Sequence, residues 1–165
     1  MINEKNTKLF IYIALVFLVL ALDRASKTII LNILDNVGTV DVYINSFLSL
    51  YLVWNKGIGF GLFSSDQNYI YNGITLFILF INLIILYLIY KEKSPKTYFL
   101  AIILGGSCGN LFDRYYYSAV PDFIDINFKG YHWFIFNVAD IFITLGIICL
   151  ILDEFLNYKK QDDKK

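Results

Sequence analysis

Several polar side chains in this chain stand where hydrocarbon would be expected. Asp23, Asn110, Asp113 and Asp140 lie within or at the ends of long apolar runs; Lys27 follows Asp23 by one helical turn, and Asn137 precedes Asp140 by about the same. At 1.5 Å per helical residue, Asp23 sits about 22 Å above Lys8, Asn110 about 21 Å and Asp113 about 25 Å above Lys96, and Asp140 about 20 Å from Asp153. Segments far apart in sequence thus bring carboxylates and amides to one level. In a hydrocarbon core about 30 Å thick, that level is the outer leaflet. A charge at such depth costs a few kcal/mol or more, so intramembrane carboxylates face a site or a partner.

The chemistry such a level permits is that of paired carboxyl groups. Two aspartates brought together do not both ionise comfortably and tend to share one proton. The ionised member can draw a proton from water that attacks a peptide carbonyl. The protonated member can hydrogen-bond the developing oxyanion and help the amine depart. Asp140 is the natural first member, with Asn137 expected on its helix face. Its partner is Asp113, Asp122 or Asp125, and spacing does not choose among them. Asp23 and Lys27 are expected to form an i,i+4 ion pair snorkelling towards the interface, and Asp113 is expected to pair with Arg114.

Other chemistries fit less well. His132 is the single histidine, no H-E-x-x-H occurs, and Cys108 and Cys149 lie far apart in apolar runs, so no metal and no cofactor are expected. Ser26 and Lys27 are adjacent and would point in different directions on a helix, and Gly-Ser-Cys-Gly at 106–109 is not a nucleophile elbow. His132, between Tyr131 and Trp133, is expected at the membrane interface.

The elements that must carry these residues follow from composition. The 165 residues are 58% hydrophobic, 18% aromatic and only 17% charged, against about 25% charged in ordinary soluble domains. A soluble globule of this size could not hide so much apolar surface. The 14 basic residues balance 14 acidic ones, which gives no electrostatic case for nucleic acid. The expectation is an all-α membrane protein, a single domain over 1–165, with four transmembrane helices at about 9–30, 69–90, 97–113 and 133–152. Val40, Val42 and Ile44, then Leu48, Leu50, Leu52 and Trp54, alternate with other residues, so the first loop should hold a small extracytoplasmic β-element at about 38–63. Ser65 and Asp66 are candidate caps for the second span. Lys and Arg fall nine on one side and five on the other, which places both termini in the cytoplasm. A cleaved leader at Lys5–Leu22 is the competing reading of the first span, but Ala21-Leu22-Asp23 offers no small-x-small cleavage site. Gly105 and Gly109 allow close helix packing, and the small residues of this span could equally line a groove. A proton-coupled transporter or a non-enzymatic assembly subunit are the rival functions. The first requires polar residues continuing to the inner side; the second leaves the common depth of the aspartates unexplained.

The motifs carry a further signal. Asp23-Arg24-Ala25-Ser26-Lys27 is similar to D-x-x-S-K, and Asn55-Lys56-Gly57-Ile58-Gly59-Phe60 to N-x-G-x-A-F. Gly105 to Arg114 is similar to G-G-A-x-G-N-x-x-D-R, Val120-Pro121-Asp122-Phe123 to V-x-D-F, and Phe136 to Asp140 to F-N-x-A-D. In this order, over nearly the whole chain, they resemble the prolipoprotein signal peptidases, or type II signal peptidases. Gly59 and Ser107 stand where that pattern has alanine. The resemblance implies an aspartic endopeptidase of the bacterial cytoplasmic membrane, multi-pass and monomeric among phospholipids, with its site towards the outside. It would cleave a prolipoprotein just before a diacylglyceryl-modified cysteine. It further implies that Asp122 and Asp140 are the catalytic pair, that Asn55, Gly57, Asn110, Arg114 and Asn137 position substrate or order the pair, and that Asp23, Lys27 and Asp113 support them.

Overall fold

The computed structural model describes residues 4–57, 68–91, 94–128 and 131–162. In chain order the elements are α1 (Glu4–Val37), β1 (Asp41–Asn45), β2 (Leu48–Asn55), α2 (Asn68–Lys91), α3 (Lys96–Tyr117), β3 (Val120–Phe128), β4 (Tyr131–Phe136) and α4 (Val138–Asp162). The structure is mostly helical, with one antiparallel sheet in the order β1-β2-β3-β4.

Apolar length explains α1 and α2, which are each long and apolar enough to cross a membrane. The 34 residues of α1 run about 51 Å, well beyond a hydrocarbon core of about 30 Å. The excess at the far end is used. Ile30, Ile33 and Leu34 pack with Val40, Leu50, Leu52 and Phe123, so the end of α1 carries the sheet. Gly38 then stops the helix: its φ of 83° is open to glycine, and its N–H bonds the Leu34 carbonyl at 2.7 Å.

The central element is α3, which packs against α1, α2 and α4. Its glycines make this possible. A Cβ at Gly105 would lie 2.8 Å from the Val16 carbonyl oxygen of α1, and one at Gly106 would lie 2.7 Å from the Ala139 carbonyl oxygen of α4. Gly109 faces α1, where an added Cβ would overlap the Asp23 carboxylate. These residues are filled by neighbouring helices, so the groove that small side chains might have lined is not on this face. At the other end of the bundle, Tyr12, Ile85, Ile89, Ala101, Ile103 and Leu104 form a hydrophobic core.

The architecture departs from an all-α chain with strands in the first loop alone. Two of the four strands, β3 and β4, come from the connection after α3. The β-element expected at 38–63 holds β1 and β2 and ends at Asn55; residues 58–63, with Gly59, and the proposed caps Ser65 and Asp66 lie outside the described residues. The span expected at 133–152 is shifted: Tyr131–Phe136 is a strand and the helix starts at Val138. The aromatic and β-branched run Tyr-His-Trp-Phe-Ile-Phe suits a pleated surface, whereas its unbroken apolarity also suits a helix. Asn137 decides between them by capping α4. Helices α1 and α3 run further than the expected 9–30 and 97–113.

The glycine packing makes a direct prediction. Gly105→Ala should cost about 1–3 kcal/mol, because backbone rather than a flexible side chain must yield. Gly73→Ala on α2, where a Cβ meets nothing within 4 Å, should be neutral or up to about 1 kcal/mol stabilising. Thermal unfolding of both variants in the same detergent checks the contrast.

Candidate active site

The polar side chains of three helices and two strands converge on one buried network. Lys27 on α1 is 1% exposed and uses its three ammonium donors on Asp23 (3.0 Å), Asn110 (2.8 Å) and Asp113 (2.6 Å). Arg24 joins it, with Nη2 donating to Asp23 at 2.8 Å, Nη1 lying 2.6 Å from Asp113, and the guanidinium over the Phe112 ring. Two bases therefore face two acids, and the cluster is neutral as a whole. The Asp23–Lys27 pair does not snorkel: it is fully desolvated, and the acceptors on α3 are what allow it to stay buried. Asp113 is held by Arg24 and Lys27, not by Arg114 as expected. Arg24 was missed as a member; its place beside Asp23 was the available signal.

Lys27 Nζ is engaged by three acceptors, and the Ser26 hydroxyl donates to the Asp23 carbonyl at 2.8 Å. A Ser–Lys nucleophile is thereby excluded by geometry as well as by spacing.

Asn110 extends the network across α3. Its Oδ1 accepts from Lys27, and its Nδ2 donates to Asp140 Oδ1 at 2.8 Å. Asp140 is the third residue of α4, and Asn137 is the residue that caps it. The Asp140 N–H donates to Asn137 Oδ1 at 3.2 Å, and the Asn137 N–H donates back to Asp140 Oδ2 at 3.2 Å. This reciprocal pair is a capping box. Asn137 and Asp140 are thus not stacked on one helix face; one lies just outside the helix and ties the other to its start. The Ala139 N–H, also in the first turn, donates to Asp23 Oδ1 at 3.1 Å.

Asn137 has one more bond to give. Its Nδ2 donates to Asp122 Oδ1 at 2.6 Å, and the second Asp122 oxygen accepts from Asn55 Nδ2 at 2.8 Å. Asp122 on β3 and Asp140 on α4 are therefore held by the same asparagine, both buried. Asn55 in turn accepts from the Gly57 N–H at 2.7 Å, and the Gly57 carbonyl accepts from Arg114 Nη2 at 2.7 Å. Arg114 Nη1 closes the circuit on the Asn110 carbonyl at 3.0 Å. Asp23, Lys27, Asn55, Gly57, Asn110, Asp113, Arg114, Asp122, Asn137 and Asp140 thus all join one network. Burial, with the charge of Asp140 adding to it, pushes the Asp122 carboxyl up to about 7, against the pull of the Asn55 and Asn137 bonds.

The third candidate partner behaves differently. Asp125 follows Asp122 by three positions on β3, so strand alternation puts it on the opposite face. There its Oδ2 accepts from His132 Nδ1 at 2.7 Å. His132 is accordingly paired to the sheet and not merely an interfacial ring.

Beside the network, between α2 and α3, lies a cavity of about 850 Å³. Lys56, Tyr71 and Arg114 give it a polar end, and Leu79, Leu111 and Phe112 an apolar wall. Tyr71 steadies that end by donating to the Arg114 carbonyl at 3.0 Å.

Known proteins carry the same pattern. A family model for signal peptidase (SPase) II matches residues 15–156. This chain belongs to the signal peptidase II family. A lipoprotein signal peptidase of Pelagibacter ubique (strain HTCC1062) is 49% identical over 164 residues, covering 99% of this chain and 98% of the relative. One from Anaplasma phagocytophilum (strain HZ) is 39% identical, covering 89% of this chain and 93% of the relative. A solved bacterial membrane enzyme, determined by the in meso method at 2.3 Å resolution, matches with a TM-score of 0.68 at 27% identity, over 93% of this chain and 91% of its own. As a member of the signal peptidase II family the chain is a membrane aspartic peptidase. The transporter reading also fails physically, because the bundle beyond the polar network is closed by the apolar core around Leu104 and Ile85.

The Lys27 cluster predicts a large stability effect. Lys27→Met would leave Asp23 and Asp113 with one cation between them, and should cost about 3–5 kcal/mol. Unfolding in detergent should show a strongly lowered midpoint.

Proposed function

We propose that this peptidase removes the signal peptide from prolipoproteins whose cysteine carries a diacylglyceryl group, cleaving just before that cysteine, with Asp122 and Asp140 as the catalytic pair. The observation that carries the assignment is the shared tether: one asparagine, Asn137, bonds both carboxyl groups inside a buried polar network. Family membership supports the substrate class.

In this reading Asp140 activates the water and Asp122 holds the proton. Asp140 sits in the first turn of α4, where backbone N–H groups and the helix dipole favour negative charge. The water loses a proton to Asp140 as it attacks the scissile carbonyl. Asp122 donates its proton to the carbonyl oxygen; the proton on Asp140 then passes to the departing amine as the C–N bond breaks, and Asp122 takes its proton back from the collapsing diol. Asn55, Gly57, Asn110, Arg114 and Asn137 keep the pair in place, and Asp23, Lys27 and Asp113 brace them from α1 and α3. The cavity between α2 and α3 suits a lipid-modified residue, since it is polar near Arg114 and apolar towards Leu79.

All four helices would cross the membrane as one integral domain, with both termini in the cytoplasm and the pair towards the outer side. The 22 residues of α3 and 25 of α4 run about 33 and 38 Å, enough for a hydrocarbon core. Asn110, Asp113 and Arg114 of α3 and Asp140 of α4 are buried within the bundle, and so would be kept from lipid. The protein would act as a monomer among membrane phospholipids.

Cleavage of a lipidated precursor in proteoliposomes tests the assignment. Asp122→Asn and Asp140→Asn should each abolish turnover while unfolding at about the parent temperature; turnover retained by either variant would refute the pair. The pH dependence has a defined sign. Asp122 is neutral below about 7 and ionised above it, so kcat/KM should fall as pH rises through that value. A profile that instead rises through neutrality would contradict Asp122 as the proton donor.

A further inference from the structure

Asp122 and Asn137 belong to one β-hairpin, and that hairpin contains a weak point. Asp122 lies on β3, and β4 leads directly into Asn137, so the bond between them depends on the β3–β4 register. The register is irregular: Ile126 faces Phe134, but Asn127 faces His132, which leaves Trp133 as an extra residue on β4. A bulge of this kind loosens the ladder locally, and a one-residue slip would reverse the face of every side chain beyond it.

The face of β3 opposite Asp122 holds a polar cluster that spans this point. Asp125 is fully buried, and its Oδ2 receives His132 Nδ1 at 2.7 Å and Asn127 Nδ2 at 3.1 Å. Asn127 Nδ2 also reaches the Ser49 hydroxyl on β2 at 3.0 Å. Asp125 precedes the bulge on β3 and His132 lies beyond it on β4, so their contact crosses the irregular step diagonally. Ser49 stands directly opposite Asp125, so the cluster ties three strands together at this level.

We propose that Asp125 and His132 are positioning residues for peptide cleavage: their bond staples the bulged hairpin, and thereby holds Asn137 against Asp122. The inference rests on Asp122 and Asp140 being the catalytic pair, but neither Asp125 nor His132 touches the reacting groups. Their effect passes through the backbone of β3 and β4. A loosened staple leaves substrate binding largely intact and weakens the Asn137 bond to Asp122, which favours the ionised form of that carboxyl. The charged groups around Asp122 are Asp140 on α4, Lys27 on α1 and Arg114 on α3, and all remain in place when the staple is removed.

The test is kinetic, on the full chain in proteoliposomes with a synthetic lipidated precursor. His132 is more than half exposed, so His132→Phe is expected to fold; Asp125→Ala is the partner variant, and His132→Asn restores a donor near the Nδ1 position. Both disrupting variants should lower kcat roughly tenfold, the effect of a small misplacement of reacting groups, with KM changed less than about twofold. The alkaline limb of the kcat/KM profile should move up by on the order of half a pH unit, as Asp122 loses part of a hydrogen bond to its charged form. His132→Asn should recover most of the loss. An unchanged kcat in folded His132→Phe overturns the inference, as does a fall in kcat with an unmoved alkaline limb and no recovery in His132→Asn. Asp122→Asn is measured alongside. If it is inactive while His132→Phe turns over like the parent, only the staple is wrong; if it is active, the catalytic pair fails and the staple with it.

Discussion

An ammonium group inside a membrane helix persists only where acceptors replace the water it has lost, and Lys27 imposes that requirement on the whole molecule. Its acceptors come from two helices, Asp23 on α1 and Asn110 and Asp113 on α3. The helices must therefore approach until their backbones nearly touch, which is why Gly105 and Gly109 face α1. Removing any one member leaves a charge or dipole stranded in a medium of low dielectric, so the group is kept or lost as a unit. Asn110 is the link outwards. By accepting from Lys27 with its oxygen and donating to Asp140 with its nitrogen, it connects the structural ion cluster to the carboxyl pair.

The sheet solves a different problem. A helix can present Asp140 at the required level, but Asp122 must meet it from another direction, through a strand whose backbone is itself satisfied by pairing. Strand β3 provides this: β2 on one side supplies Asn55 to Asp122, and β4 on the other ends at Asn137. Each oxygen of Asp122 thus has a fixed donor from a neighbouring strand or its end. The overlong α1 belongs to the same arrangement, since Ile30, Ile33 and Leu34 give the sheet an apolar base just beyond Lys27.

Much of this was legible in the residues, for identifiable reasons. The helical rise converts sequence distance into depth, so Asp23, Asn110, Asp113 and Asp140 could be placed at one level without any knowledge of their contacts, and in the structure hydrogen bonds and ion pairs do join them. Ordered motifs singled out Asp122 where spacing could not, because which of Asp113, Asp122 and Asp125 lies beside Asn137 depends on strand register and face, which no local pattern encodes. Asp113 is consumed by Lys27 and Arg24, and Asp125 by His132. The run at 131–136 was misread because a short continuous apolar segment fits a strand and a helix equally well. Arg24 stands beside Asp23 in the sequence, but its second acceptor, Asp113, lies on α3 and is supplied only by helix packing.

The corrected start of α4 shows why the distinction matters for the chemistry. The first turn of any helix has backbone N–H groups with no partner inside the helix. Had α4 begun near Tyr131, those groups would lie well above the polar level, and the N–H groups of Ala139 and Asp140 would be spent in the helical ladder. Because the helix begins at Val138, they are free where the carboxylates are. Ala139 donates to Asp23, Asp140 donates to the Asn137 side chain, and the Asn137 N–H, just outside the helix, donates to Asp140. A strand must come before that start, since it delivers the chain to the polar level with its own backbone bonds already made to β3. The sheet and the late helix start are thus one device: the strand brings a bare helix end into a buried polar layer, and the open donors there hold acids that hydrocarbon would otherwise exclude.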